Sequence, residues 1–102
     1  MILETILALS AVDYDHLARA VQVEAAPNTR DEYCVAVSIL NRVRSPKFPN
    51  NVRDVIYAPG QYEGMQFSTF AKASVVSRLR DRSKLLAAYS VIGDRTDFKG
   101  QS

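Results

Sequence analysis

Histidine and cysteine are almost missing from this chain, which contains one of each, His16 and Cys34. A single cysteine forms no internal disulfide and no thiolate zinc cluster, so a fold stapled for the extracellular space is excluded. A Ser-His-Asp or Cys-His machine would have to be built on His16 alone, which argues against both. With four glycines and four prolines, the chain is neither low-complexity nor collagen-like. The net charge of +2 is too small an excess to demand a polyanionic partner. The basic run at residues 78–84 is interrupted by Asp81 and lacks aromatic partners on its face, so it reads as a solvated helix face and not as a nucleic-acid site. No apolar run is long enough to span a bilayer. Residues 1–12 are apolar, but they carry Glu4 and no basic flank, and they read as a packed N-terminal helix and not as a signal peptide. A role outside the cytoplasm would then need another delivery route, such as incorporation in a larger particle. What the chain does have is a 47% hydrophobic share over 102 residues, enough for one core and one domain, residues 1–102.

The apolar spacing predicts helices. Over residues 13–25, Tyr14, Leu17, Ala18, Val21 and Ala25 fall on one stripe at 100° per residue, with Asp13 or Asp15 as cap and Pro27 blocking continuation. Asp13-Tyr14-Asp15-His16 reads as that capping segment with a solvated histidine. Thr29-Arg30-Asp31-Glu32 has capping-box spacing, and the apolar segment at 33–43 after it suits a helix buried on most sides; its β-branched content also allows a buried strand, but the box and the length favour helix. The string SPKFPNN at 45–51 is a loop. A short helix after Asn51 should turn Val52, Val55 and Ile56 inward and end in a turn at Pro59-Gly60. Residues 61–69 read as loop or a short irregular strand. Residues 69–92 are helical in character, carry Phe70 and Leu79, and should break and re-cap at Ser83. Gly93 stands where a left-handed C-terminal residue is expected. The residues from Asp94 onward show no periodicity.

Glu24 is the most informative residue for chemistry. It projects from the edge of an apolar stripe, in the last turn of a helix where the macrodipole opposes negative charge, beside an irregular loop where a cleft could open. Burial and dipole both favour the neutral acid, as a general acid requires. The plain alternative is a helix-end glutamate curling into solvent. Tyr57, Gln61, Tyr62 and Phe67 cluster around the Pro59-Gly60 turn, where rings and amides suit sugar recognition but equally serve to pack loops onto a core. Asn41, near the end of the central helix, is the candidate amide to bridge the Glu24 helix and the turn. Its alternative is to tie down the SPKFPN loop. Cys34 reads as a small core residue. No metal ligand set and no cofactor motif is identified.

The strings LARAVQVEA (17–25), VAVSILNRVRSPKFPN (35–50) and DVIYAPGQY (54–62) resemble, in order, the SleB-type cell wall hydrolase family, the spore-cortex-lytic enzymes and their bacterial and phage relatives. The resemblance implies a mainly α, α+β lysozyme-like domain of four to five helices with short loops or strands. It implies action on peptidoglycan glycan strands as a lytic transglycosylase or muramidase, with Glu24 at the catalytic acid. Because such an acid needs rings and amides to hold the flanking sugars, the cleft is expected between the end of the Glu24 helix and the loop of Tyr57, Gln61 and Tyr62, with Asn41 bridging them. Two departures stand out: Gln22-Val23-Glu24 replaces the family's Tyr-Gly-Glu, and Pro27-Asn28-Thr29 replaces a Gly-rich acidic stretch. Family domains also continue further than Ser102, so a truncated domain or a reduced cleft is expected. Asp31, Glu32 and Glu63 are the nearest candidates for a second carboxylate, which hydrolysis needs and transglycosylation does not. A different class of function remains, a weakly active structural or wall-binding part of a phage particle, with other virion or tail proteins as partners.

Overall fold

The helix at Arg30–Arg44 has almost no wet side. Cys34, Val35, Ala36, Val37, Ile39 and Leu40 are all buried, so apolar area is removed from water around nearly its whole circumference. The computed structural model describes residues 1–62 and 70–98, and among these are six helices and no strand. They are α1 (Ile2–Leu7), α2 (Ala11–Glu24), α3 (Arg30–Arg44), α4 (Val52–Ile56), α5 (Ala73–Leu79) and α6 (Arg82–Ile92). Every other helix packs against α3, which gives a compact, mainly helical domain of 32 × 27 × 26 Å.

The N-terminal boundaries differ from those expected. α1 stops at Leu7 and α2 begins at Ala11, because Ser10 starts a capping box: its Oγ accepts from the Asp13 amide at 3.1 Å, and Asp13 Oδ2 accepts from the Ser10 amide at 2.9 Å. Asp13 is thus the partner of the cap and not the cap itself, while Asp15 pairs with Arg19 one turn on. The expected stripe of Tyr14, Leu17, Ala18, Val21 and Ala25 is buried throughout.

At the start of α3 the capping box is not made. Thr29 occupies the N-cap position, but its hydroxyl donates back to the Ala26 carbonyl at 2.8 Å. Glu32 instead turns inward, 1% exposed, and its two oxygens accept from Arg78 Nε and Nη2 on α5 at 2.8 and 2.9 Å. A guanidinium fork matches a carboxylate better than one backbone amide does, and that partner is 46 residues away.

α4 forms as expected, with Asn51 Oδ1 accepting from the Asp54 amide and Val52, Val55 and Ile56 buried. The turn after it closes from the Gln61 amide to the Ala58 carbonyl at 3.1 Å, with Gly60 at φ +79°, as a type II turn requires. The helical stretch near the C-terminus breaks at Asp81 and not at Ser83. Asp81 caps α6 and also accepts from the Ser83 hydroxyl at 2.6 Å. Phe70 lies outside α5 and is exposed. Gly93 ends α6 at φ +61° and ψ −138°, which is not the left-handed helical conformation but one that glycine alone reaches readily.

Candidate functional site

α2 delivers Glu24 to its last position, half-buried, before Ala25 turns extended and Asn28 takes a positive φ of 59° to send the chain into α3. Among the described residues Glu24 makes no hydrogen bond and no ion pair. Its charge reaches Tyr62. The Tyr62 phenol is held above its ordinary pKa mainly by burial; Arg42 opposes that shift and Glu24 reinforces it. Two residues before Glu24, Gln22 makes a clasp that the sequence did not announce. Its Nε2 donates to the Phe70 carbonyl at 3.2 Å and its Oε1 accepts from the Lys72 amide at 2.8 Å, fixing the chain leading into α5 against the end of α2.

The turn after α4 is held by a second unforeseen residue, Arg42. Its Nη1 donates to Gln61 Oε1 and its Nε to the Thr96 carbonyl, both at 2.7 Å, and its guanidinium lies 4.9 Å from the Phe48 ring centroid and 5.4 Å from that of Tyr62. Tyr57 is 45% exposed, and its hydroxyl pairs with His16 Nδ1 at 3.1 Å, the two rings meeting edge to face. His16 is therefore a half-buried partner of Tyr57 and not a solvated residue. It precedes Glu24 by eight positions on α2, about 12 Å along the axis. Tyr57 also borders an open depression of about 690 Å³ with Pro49, Arg53, Asp54 and Pro59.

Asn41 does not bridge these parts. Its Nδ2 donates to the carbonyls of Gly93 and Arg95, both at 2.8 Å, and its Oδ1 accepts from Arg44 Nη1 at 3.0 Å. At 3% exposure it has neither a free donor nor room for a sugar, and it ties down the segment after α6 and not the SPKFPN loop. Phe67 and Glu63 lie outside the described residues.

A groove of about 530 Å³ lies against the end of α2, walled by Gln22, Val23 and Ala25 on one side and by Lys72, Val75 and Arg78 on the other. Gln22 and Glu24 are 200° apart around the helix, and Glu24 does not line this groove although its neighbours Val23 and Ala25 do. Nor does Glu24 line the depression beside Tyr57.

Over residues 28–101 the sequence matches the Cell Wall Hydrolase family. The chain belongs to this family. No curated protein and no solved structure matches it. The match takes in α3 through α6, including Asn41, Arg42 and the Pro59-Gly60 turn, and it begins four residues after Glu24. In this cell wall hydrolase domain the two glutamates nearest the α2–α3 turn have opposite surroundings. Glu32 has both oxygens occupied by Arg78, whose own pKa is raised chiefly by that hydrogen bond, whereas Glu24 has no hydrogen bond or ion pair among the described residues. Gln22 sat on the polar face of its helix and Arg42 within a basic helix end, positions that are ordinarily solvated. Only their long-range partners reveal their part in shaping the site.

Proposed function

We propose that this domain cleaves the glycan strands of peptidoglycan, with Glu24 as general acid and base in a lytic transglycosylase reaction. The observation that carries the reading is the half-buried Glu24 carboxylate at the end of α2, without a hydrogen bond or ion pair among the described residues, while Glu32 is sealed by Arg78. Glu24 donates its proton to the glycosidic oxygen as the C1–O bond breaks, and the resulting carboxylate takes the proton of the muramic acid C6 hydroxyl as that oxygen attacks C1. The product carries a 1,6-anhydro ring, and the acid regains its proton without a water. A hydrolase of the two-carboxylate kind needs a second acid, and Glu32 is not free to be one. Tyr57 and Tyr62 offer ring faces for pyranose stacking. Gln61, whose Oε1 is occupied by Arg42, keeps its amide nitrogen for a sugar hydroxyl.

Glu24→Gln keeps the shape and removes the proton. A fall in glycan cleavage of about a hundredfold or more is expected, within the range for one general acid, with an unchanged melting temperature. Mass spectrometry of digested sacculi should show 1,6-anhydro ends. Reducing ends would replace the transglycosylase reading with hydrolysis, and full activity in the variant would remove Glu24 from the chemistry.

A further inference from the structure

The groove at the end of α2 carries one net positive charge, that of Lys72, and a spare donor on Arg78 beside its pair with Glu32. Lys72 is exposed and has no ion pair among the described residues. Arg78 gives Nε and Nη2 to Glu32, leaving the two hydrogens of Nη1 without a partner among the described residues on a side chain 27% exposed. Glu32, the acid in the wall, is neutralised by that pair. Between the cations the floor is apolar, built from Val23, Ala25 and Val75. Asn28 and Ser74 add neutral polar groups to the lining, and an apolar floor between two cationic donors suits a short peptide bearing carboxylates.

Its position says which peptide. Val23 and Ala25 line the groove and flank Glu24 in sequence, so the groove begins within about 10 Å of it, one helix width. A chain that branches from the sugar at the scissile bond reaches that far, and a ring substituent does not. In peptidoglycan the muramic acid lactyl group carries such a branch, a stem peptide rich in alanyl methyls and free carboxylates. We propose that the groove between Gln22 and Arg78 is the stem-peptide subsite, with Lys72 and Arg78 Nη1 binding its carboxylates. This inference rests on peptidoglycan being the substrate, and it adds that the domain favours strands that still bear their peptides.

The test uses the Glu24→Gln protein, which binds without cutting, sedimented with purified sacculi and with the same sacculi stripped of stem peptides by an amidase. Intact sacculi should bind about fivefold more tightly, the worth of one partly exposed charge contact, and raised salt should erase the difference. Lys72→Glu should abolish the preference and leave binding to stripped strands unchanged. Lys72 precedes α5, where an acid is electrostatically welcome, so the variant should fold normally. Equal binding to both materials, or a preference that survives Lys72→Glu, overturns the subsite while leaving the proposed function standing. Binding to neither overturns both.

Discussion

The ends of α2 and α3 invite comparison, because both stop in extended backbone after a run of buried apolar residues yet treat their polar side chains in opposite ways. At the end of α3, Asn41, Arg42 and Arg44 donate to the carbonyls of Gly93, Arg95 and Thr96 and to the side chains of Gln61 and Asp94. Cations there also complement the helix dipole, so stability alone accounts for them. At the end of α2, Gln22 is clasped, but Glu24 faces an unfavourable dipole with no hydrogen bond or ion pair among the described residues. Stability does not account for that glutamate. A polar residue whose bonds are all made internally is structural; Glu24, half-buried and without such bonds among the described residues, is the one we propose for the chemistry.

The sharpest way to break the contrast is to unseal the acid that is not available. Arg78→Met leaves Glu32 buried without its partner and should lower stability by about 3 kcal/mol, the low end for a broken buried pair because Arg78 keeps some solvent contact. Chemical denaturation measures it, and a loss below about 0.5 kcal/mol, the scale of an exposed pair, would mean that Glu32 is not truly closed off.

Asn41→Leu tests the other end. Two carbonyls lose their donor, so a loss of about 2 kcal/mol is expected. The KM for glycan strands should be unchanged in the folded fraction. A raised KM at unchanged stability would return Asn41 to the cleft.

The smallest effect concerns acid. The Asp94 carboxyl is held below the usual range by hydrogen bonds from the Tyr89 hydroxyl and from Arg44. A lowered folded-state pKa contributes stability that is present above the unfolded value of about 3.9 and is lost as pH falls through the folded value. Asp94→Asn should therefore lose less melting temperature than the parent chain between about pH 6 and about pH 3. Parallel curves would show that this surface cluster contributes nothing.

Local pattern was a good guide where the partner of a residue lies within a turn or two. The stripe of α2, the burial of α3 and the Asn51 start of α4 are all of that kind. The errors arose where one short-range rule competed with another or with a distant group. Ser10 took the cap from Asp13 because it offered a complete box, and Asp81 took it from Ser83. Glu32 had the spacing of a capping glutamate, yet a guanidinium on α5 outbid the backbone amide. Glu24 stood out in the sequence because it broke the polarity rule of its own helix, and its position at the end of α2 agrees with that reading of the helix. Gln22 and Arg42 obeyed theirs and stayed hidden. Asn41 was rightly read as a buried amide in need of partners, but its partners lie more than 50 residues on, where no periodicity marks them.

By itself, then, the sequence determined the helical class, the central place of α3 and the glutamate at the end of α2, because hydrophobic spacing and helix termini are properties of neighbouring residues. Only the tertiary structure decided that Glu32 is sealed by Arg78 while Glu24 has no hydrogen bond or ion pair among the described residues, and that Asn41 holds the segment after α6. Those outcomes depend on pairing across 46 to 54 positions of chain, and nothing in the spacing of residues specifies which distant donor arrives first at a buried acceptor.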